Sequence, residues 1–211
     1  MYAFANRKDT RVVDEPFYGY YLAKTGLKHP GYEEILDTMP LEVDTILGQL
    51  EDLASSMPVL FIKNMAHHLI DVDPGFMKRY ANLFLIRDPA ALITSFSKVI
   101  PHPTMSDIGC AMQFDLYRYL EQFHSFPVVD SQRVLAFPEY QMKTLCSILG
   151  IPFDEGMLKW KAGARPEDGC WAKYWYANVH RSTGFDTPSS NQPKLPEHCR
   201  ALFEEALPYY Q

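Results

Sequence analysis

Short apolar runs alternate along this chain with longer stretches of helical period. Residues 10–14 (TRVVD), 58–63 (PVLFIK), 83–86 (LFLI) and 127–130 (PVVD) read as strands. Each is rich in β-branched or large apolar side chains and ends in, or is followed directly by, a charged residue. Between the first two, residues 31–56 carry helical spacing broken at Pro40, with Val43, Ile46, Leu47, Leu50 and Leu53 inward and Glu42, Asp44, Glu51 and Asp52 outward. Residues 106–123 predict one helix capped by Ser106, and 138–149 another, closed by Gly150 and followed by Pro152. Residues 197–209 predict a last helix. Strands alternating with helical segments imply βα units and a parallel sheet, an α/β fold.

The stretch at 81–98 (ANLFLIRDPAALITSFSK) organises the rest. An unbroken apolar run predicts a strand covered on both faces. Arg87 stands at its carboxyl end, Asp88 can cap the following helix, and Pro89 suits its first position. Ligands of open α/β sheets bind outside the carboxyl ends of strands. Arg87 is therefore placed to meet an anion, with Ser95 two helical turns on.

Charge narrows the partners. The chain has 211 residues and a net charge of −6, so no overall basic field draws it to nucleic acid or an anionic membrane. No apolar run approaches the ~20 residues that span a bilayer, and the first residues, MYAFANRKDTR, lack the form of a secretion signal. The cysteines at 110, 146, 170 and 199 are too widely spaced for a CxxC site, so free thiols in a reducing cytoplasm are expected.

Several residues carry candidate chemistry. Glu15, at a strand tip before Pro16, is expected in extended geometry and can act as a general base; the alternative is a surface carboxylate at a turn. The aromatics at 17–21 (FYGYY) line a pocket or form a core. Lys63 ends the second strand. His67, His68, Asp71 and Asp73 follow within a short span, which admits a metal cluster, a catalytic histidine, or one packed and one exposed imidazole. Residues 161–196, rich in Gly, Pro, Ser, Trp and Tyr, predict a long functional loop. Within it, Arg181, Ser182, Thr183 and Gly184 can wrap a phosphate or form a surface turn.

Taken together, these residues resemble the P-loop sulfotransferase superfamily, most closely its bacterial and plant sulfotransferase-like members. The resemblance covers nearly the whole chain as one domain, 1–211. Its most specific part is Arg87 with Ser95 on strand, turn and helix, which in the family bind the 3′-phosphate of 3′-phosphoadenosine 5′-phosphosulfate (PAPS). The stretch VVDSQRVLAFPEYQMKTLCSILGIPFDEGMLKW is similar to the family's strand, helix and LGIPFD segment, with Ser131 where many members have tyrosine. The loop at 181–185 resembles the nucleotide-binding loop, without its Arg-Lys-Gly run. Glu15-Pro16 is similar to the Glu-Pro that carries the base in carbohydrate-acting branches. Lys63 matches the lysine of a Lys-x-His strand end, with Met65 at the histidine's place.

The resemblance implies a P-loop NTPase-like three-layer αβα fold around a parallel sheet. The sequence opens inside what should be the helix after the phosphate-binding loop, so the first strand and that loop are expected to be missing. The implied activity is transfer of a sulfuryl group from PAPS to a hydroxyl or amine of a small molecule or glycan, without a metal. Glu15 is the expected base, with His67 or His68 as alternatives. Lys63 is expected on the leaving phosphate, and Arg87, Ser95, Arg181 and Gly184 on the nucleotide. Two other classes remain open: a non-catalytic binding or scaffold protein on this fold, and a metal-dependent hydrolase using His67, His68, Asp71 and Asp73.

Overall fold

All four expected strands form close to where the apolar runs place them. The computed structural model describes residues 1–186 and 194–211. The portion of the 161–196 expectation at 187–193 lies outside these described residues. The chain begins with α1 (Tyr2–Ala5), β1 (Thr10–Asp14), α2 (Tyr18–Thr25), α3 (Tyr32–Thr38), α4 (Val43–Ser56) and β2 (Val59–Lys63). Next come β3 (Phe84–Ile86), α5 (Pro89–Phe96), α6 (Met105–Ile108), α7 (Cys110–Leu120), β4 (Val128–Asp130), α8 (Ser131–Ala136) and α9 (Pro138–Ile148). The short helices α10 (Ala172–Trp175) and α11 (Ala177–Arg181) and the closing α12 (Arg200–Ala206) complete the series. Single 3₁₀ turns lie at Ala66–Leu69, Pro74–Arg79, Glu155–Leu158, Glu197–Cys199 and Leu207–Tyr209. Among the described residues no helix is long and apolar enough to cross a membrane.

The α/β class and the parallel pairing are as expected. The strands form two two-stranded sheets, one in each of two compact units. The first unit comprises Met1–Val72 and Asp154–Phe185. In it β1 and β2 run parallel, from Thr10 opposite Val59 to Asp14 opposite Lys63. Helix α4 buries Ile46 and Leu50 and leaves its acidic face in water, as its period requires. The aromatics of 17–21 resolve as core: Phe17, Tyr18 and Tyr21 are buried, and Tyr18, Tyr21, Leu22, Ile35 and Trp171 pack together. Phe4 of α1 stacks on Phe61 of β2 at 4.1 Å between ring centroids.

The second unit comprises Asp73–Phe153 and Asp186–Gln211. Strands β3 and β4 are parallel, with Phe84 opposite Val128 and Ile86 opposite Asp130. Helix α5 starts as its sequence directs: Pro89 occupies the first turn and Asp88 Oδ1 accepts from the Ala91 N–H at 2.9 Å. Ile93, Ile108, Cys199, Leu202 and Ala206 pack together as one core cluster of this unit.

Four local expectations are corrected. Strand β3 is not covered on both faces. Phe84 is buried, but Leu85, pointing the other way along the pleat, is 55% exposed. The helix expected over 106–123 is two helices, because Gly109 at φ 67° takes the left-handed conformation that ends α6. The cap is Thr104 rather than Ser106: Asp107 Oδ2 accepts from the Thr104 N–H and hydroxyl, both at 2.7 Å. Finally, the stretch read as a long loop contains α10 and α11, drawn into order because Trp171 joins the aromatic core.

Helix α2 depends on a close approach at Gly19. A Cβ there would lie 2.8 Å from Met39 Cβ and 3.1 Å from a Leu41 methyl. Overpacking of this kind costs about 1–3 kcal/mol, against a helix-propensity gain of about 1 kcal/mol for Ala over Gly. Gly19→Ala is therefore expected to lower stability by about 1 kcal/mol in urea unfolding. A more stable variant would show that the contact is loose.

Candidate functional site

The end of the β1–β2 pair gathers four polar side chains. The parallel register sets Asp14 beside Lys63, and the ladder runs one bond further, from the Glu15 N–H to the Lys63 carbonyl at 2.7 Å. In an extended strand Asp14 and Glu15 would point to opposite faces. Glu15 instead has φ 47°, a left-handed conformation uncommon outside glycine. The extended geometry expected before Pro16 is not observed. The Glu15 carbonyl accepts from the Tyr18 N–H at 3.0 Å, so the reversal starts α2 while both carboxylates reach the same ammonium. Non-glycine residues held at such dihedrals persist only where their surroundings over-determine them.

Lys63 Nζ donates to Asp14 Oδ1 at 3.1 Å, to the Tyr176 hydroxyl at 2.8 Å and to Glu15 Oε1. The Tyr176 hydroxyl donates to Asp14 Oδ2 at 2.7 Å and lies 3.4 Å from Glu15 Oε1. An ammonium has three protons, and all three are used here. Both carboxylates are buried. Burial raises the Glu15 carboxyl above its ordinary value, Asp14 adds to this, and Lys63 opposes it. Burial works against the Lys63 charge, but Glu15, Asp14 and Tyr176 outweigh it and hold the ammonium above its ordinary value. Burial, then Glu15, also raises the Tyr176 phenol, which stays protonated as a donor.

His67 and His68 lie on the 3₁₀ turn Ala66–Leu69, directly after β2, and both are buried. This corrects the expectation of one packed and one exposed imidazole. Among four residues in one tight turn, both rings face the aromatics of α2. His68 stacks on Tyr18 at 4.5 Å and on Tyr21 at 4.9 Å, while His67 meets Tyr21 edge-on at 5.2 Å. His68 Nδ1 is 3.8 Å from Glu15 Oε2 and has no hydrogen-bond partner among the described residues. Burial, then His67, Lys63 and His29, hold His68 well below its ordinary 6.5, so it is neutral. Asp71 turns away to pair with Lys24 at 3.3 Å. Among the described residues no three His, Cys, Asp or Glu are grouped to hold a metal ion.

Arg181 ends α11, exposed, with its guanidinium on Asn178. Gly184 bridges to Lys159, and a Cβ there would meet the Leu158 carbonyl oxygen at 2.9 Å, so this backbone approach needs glycine. The segment is also tied by Trp160 N–H to the Thr183 carbonyl and Trp160 Nε1 to Ser182 Oγ, both at 3.0 Å.

In the second unit, Arg87 follows β3 and is exposed, with no hydrogen bond or ion pair from its side chain to the described residues. Ser95 is half-buried on the last turn of α5. Asp14 and Tyr176 were missed by sequence reasoning. Asp14 was legible as a strand-end acid next to Glu15, but its match to Lys63 exists only in the strand register. Nothing in the spacing linked Tyr176 to residues more than a hundred positions away.

A sequence model of the family described as Sulfotransferase domain matches residues 1–211. The chain is 37% identical over 212 residues to branched-chain-amino-acid aminotransferase-like protein 1 of Arabidopsis thaliana, covering 100% of this chain and 38% of that protein. It is 33% identical to branched-chain-amino-acid aminotransferase-like protein 2 of the same plant, with the same coverage. The chain thus spans 38% of the length of these curated relatives. Among solved structures, it is similar to the sulfotransferase domain from the curacin biosynthetic pathway, with TM-score 0.47 and 16% identity over 90% of this chain and 77% of that one. It is also similar to the sulfotransferase domain from the Synechococcus PCC 7002 olefin synthase, with TM-score 0.44 and 14% identity over 88% of this chain and 72% of that one.

The neutral, buried His68 gives a sign-definite prediction. The unfolded chain takes up a proton as pH falls through about 6.5 and the native imidazole does not, so native stability drops below that pH by up to about 1.4 kcal/mol per unit. Between pH 7.5 and 5.5, wild type should lose roughly 1 kcal/mol more than His68→Phe in urea unfolding. Parallel curves would show that His68 titrates normally.

Proposed function

The chain belongs to the sulfotransferase-domain family, and from that premise we propose that it transfers a sulfuryl group from PAPS to a hydroxyl or amine of a small-molecule or glycan acceptor. The observation that carries this reading is the buried Glu15, raised in basicity and held against Lys63 at a strand tip. A carboxylate of raised pKa is the stronger base once it is ionised, which is what removing an acceptor proton requires. The acceptor oxygen or nitrogen forms its bond to sulfur as the sulfur–oxygen bond to the 5′-phosphate breaks. The proton passes to Glu15 and the electron pair leaves on the phosphate. Lys63 is the cation assigned to that leaving oxygen, and must then exchange one of its three internal acceptors for it. His68, neutral and beside Glu15, is the second candidate base, ahead of His67.

Arg87 and Ser95 are assigned the 3′-phosphate of the donor, a planar fork with a hydroxyl beside it in sequence order. Arg181 and the backbone at Gly184 are assigned the nucleotide on the family resemblance alone. The transfer needs no metal in this scheme, because positioning and neutralisation of the leaving charge do the work. The four free thiols agree with a cytoplasmic setting. A second reading, a non-catalytic binding protein, is favoured by one feature: the ammonium of Lys63 is fully used by the chain itself.

Calorimetric titration with 3′-phosphoadenosine 5′-phosphate, with 5′-AMP as control, tests the donor assignment. The chain should prefer the 3′-phosphorylated nucleotide, and Arg87→Ala should weaken that binding by about 10- to 100-fold, the worth of a lost charged hydrogen-bond pair. Equal binding of both nucleotides, or no effect of Arg87→Ala, would remove the assignment. A folded chain that binds neither nucleotide would favour the non-catalytic reading.

A further inference from the structure

Tyr176 lies at the joint between α10 and α11, in a segment far from β1 and β2 in sequence. Its hydroxyl nevertheless sits among the three charged groups at the strand tips. We propose that Tyr176 is a positioning residue for the Glu15–Lys63 pair: its phenol accepts from Lys63 and donates to Asp14, fixing the ammonium where it faces Glu15. The proposal rests on the reading of Glu15 as a base and adds the group that sets its surroundings.

The geometry carries this further than a chance contact would. The phenol closes a ring of hydrogen bonds: Lys63 Nζ to Tyr176 at 2.8 Å, Tyr176 to Asp14 Oδ2 at 2.7 Å, and Lys63 Nζ to Asp14 Oδ1 at 3.1 Å. Each acceptor of the lysine is thereby assigned, and the side chain cannot rotate without breaking at least one bond. A free lysine has several rotatable bonds and loses rotamer entropy when it is held in one place. Here the fork of Asp14 and the phenol holds it before any substrate arrives. Tyr176 is itself fixed, being buried and hydrogen-bonded through its own N–H to the Ala172 carbonyl at 2.7 Å.

The groups facing this pair are Asp14 from β1, His68 from the 3₁₀ turn, Tyr18 from α2, Tyr176, and the buried α-amino group of Met1, which acts on Lys63 and Asp14. Burial and, less strongly, Asp14 raise the Glu15 carboxyl, whereas the Lys63 charge and, least, the Tyr176 hydroxyl lower it. Removing the hydroxyl alone therefore has a definite sign. Tyr176→Phe keeps the ring and its packing but takes away a hydroxyl dipole 3.4 Å from Glu15 Oε1 and the fixed position of the ammonium, so the Glu15 carboxyl should titrate at a higher pH.

The test follows the side-chain carboxyl carbon of Glu15 by NMR across pH in wild type and Tyr176→Phe, with Glu15→Gln to assign the signal. No turnover is needed, so the result stands whatever the sulfuryl-transfer reading proves to be. An upward shift of half a pH unit or more in Tyr176→Phe is expected. An unchanged Glu15 titration, even with a lower melting temperature, would show that Tyr176 only packs and would overturn the proposal. Should the variant fail to fold, wild type supplies a second measurement. The Tyr176 hydroxyl proton and the Lys63 ammonium protons should exchange slowly with water and show a cross-peak to each other. Rapid exchange of both would equally overturn it.

Discussion

One ammonium between two buried carboxylates governs the first unit. Asp14 and Glu15 are consecutive, both withdrawn from water, and would repel each other without a cation between them. Lys63 supplies it from the neighbouring strand, so the pairing of β1 with β2 and the charge balance of the site depend on each other. A shift of one residue in the register would carry Lys63 to the opposite face of the sheet and leave the acids unpaired. The left-handed turn at Glu15 follows from the same demand, since only that reversal lets adjacent side chains converge.

The aromatic core continues the argument outward. Tyr18 and Tyr21 of α2 stack against His68, and Trp171 meets Tyr18 edge-on at 5.3 Å. Residues brought in by the 161–185 segment thus both complete the core and, through Tyr176, complete the charged cluster. This apolar wall is what raises the Glu15 carboxyl and holds His68 neutral. The linked pH behaviour has opposite senses. The native state keeps the Glu15 proton to higher pH than the unfolded chain does, so stability from that group is present at low pH and falls as pH rises through its raised value. His68 acts the other way, below about 6.5.

Periodicity made the strands and most helices legible, because apolar runs and caps are local signals: β1 and β2 lie where TRVVD and PVLFIK place them, and Asp88 caps α5 as its position implies. Elements that failed were decided by something non-local or by a single glycine. Gly109 divided a helix whose apolar stripe ran through it. Leu85, apolar enough for a buried strand, lies exposed on a two-stranded sheet. At the site, Glu15 and Lys63 were readable as strand-end charges, but their convergence required the register, and Tyr176 required the tertiary fold. The family was readable from Arg87, Ser95 and the LGIPFD segment, whereas the conformation of Glu15 contradicted the local preference set by Pro16.

The most direct test of this account is a double-mutant cycle on unfolding free energy at pH 7, using Glu15→Gln, Lys63→Met and the pair. Lys63→Met alone leaves two buried carboxylates without their cation and should cost about 3–5 kcal/mol. Neutralising Glu15 as well removes much of that penalty, so the pair should be coupled by more than about 1 kcal/mol, within the range seen for groups in one network. Additivity within about 0.5 kcal/mol would mean that Lys63 does not hold the two acids together, and the site as described here would not stand.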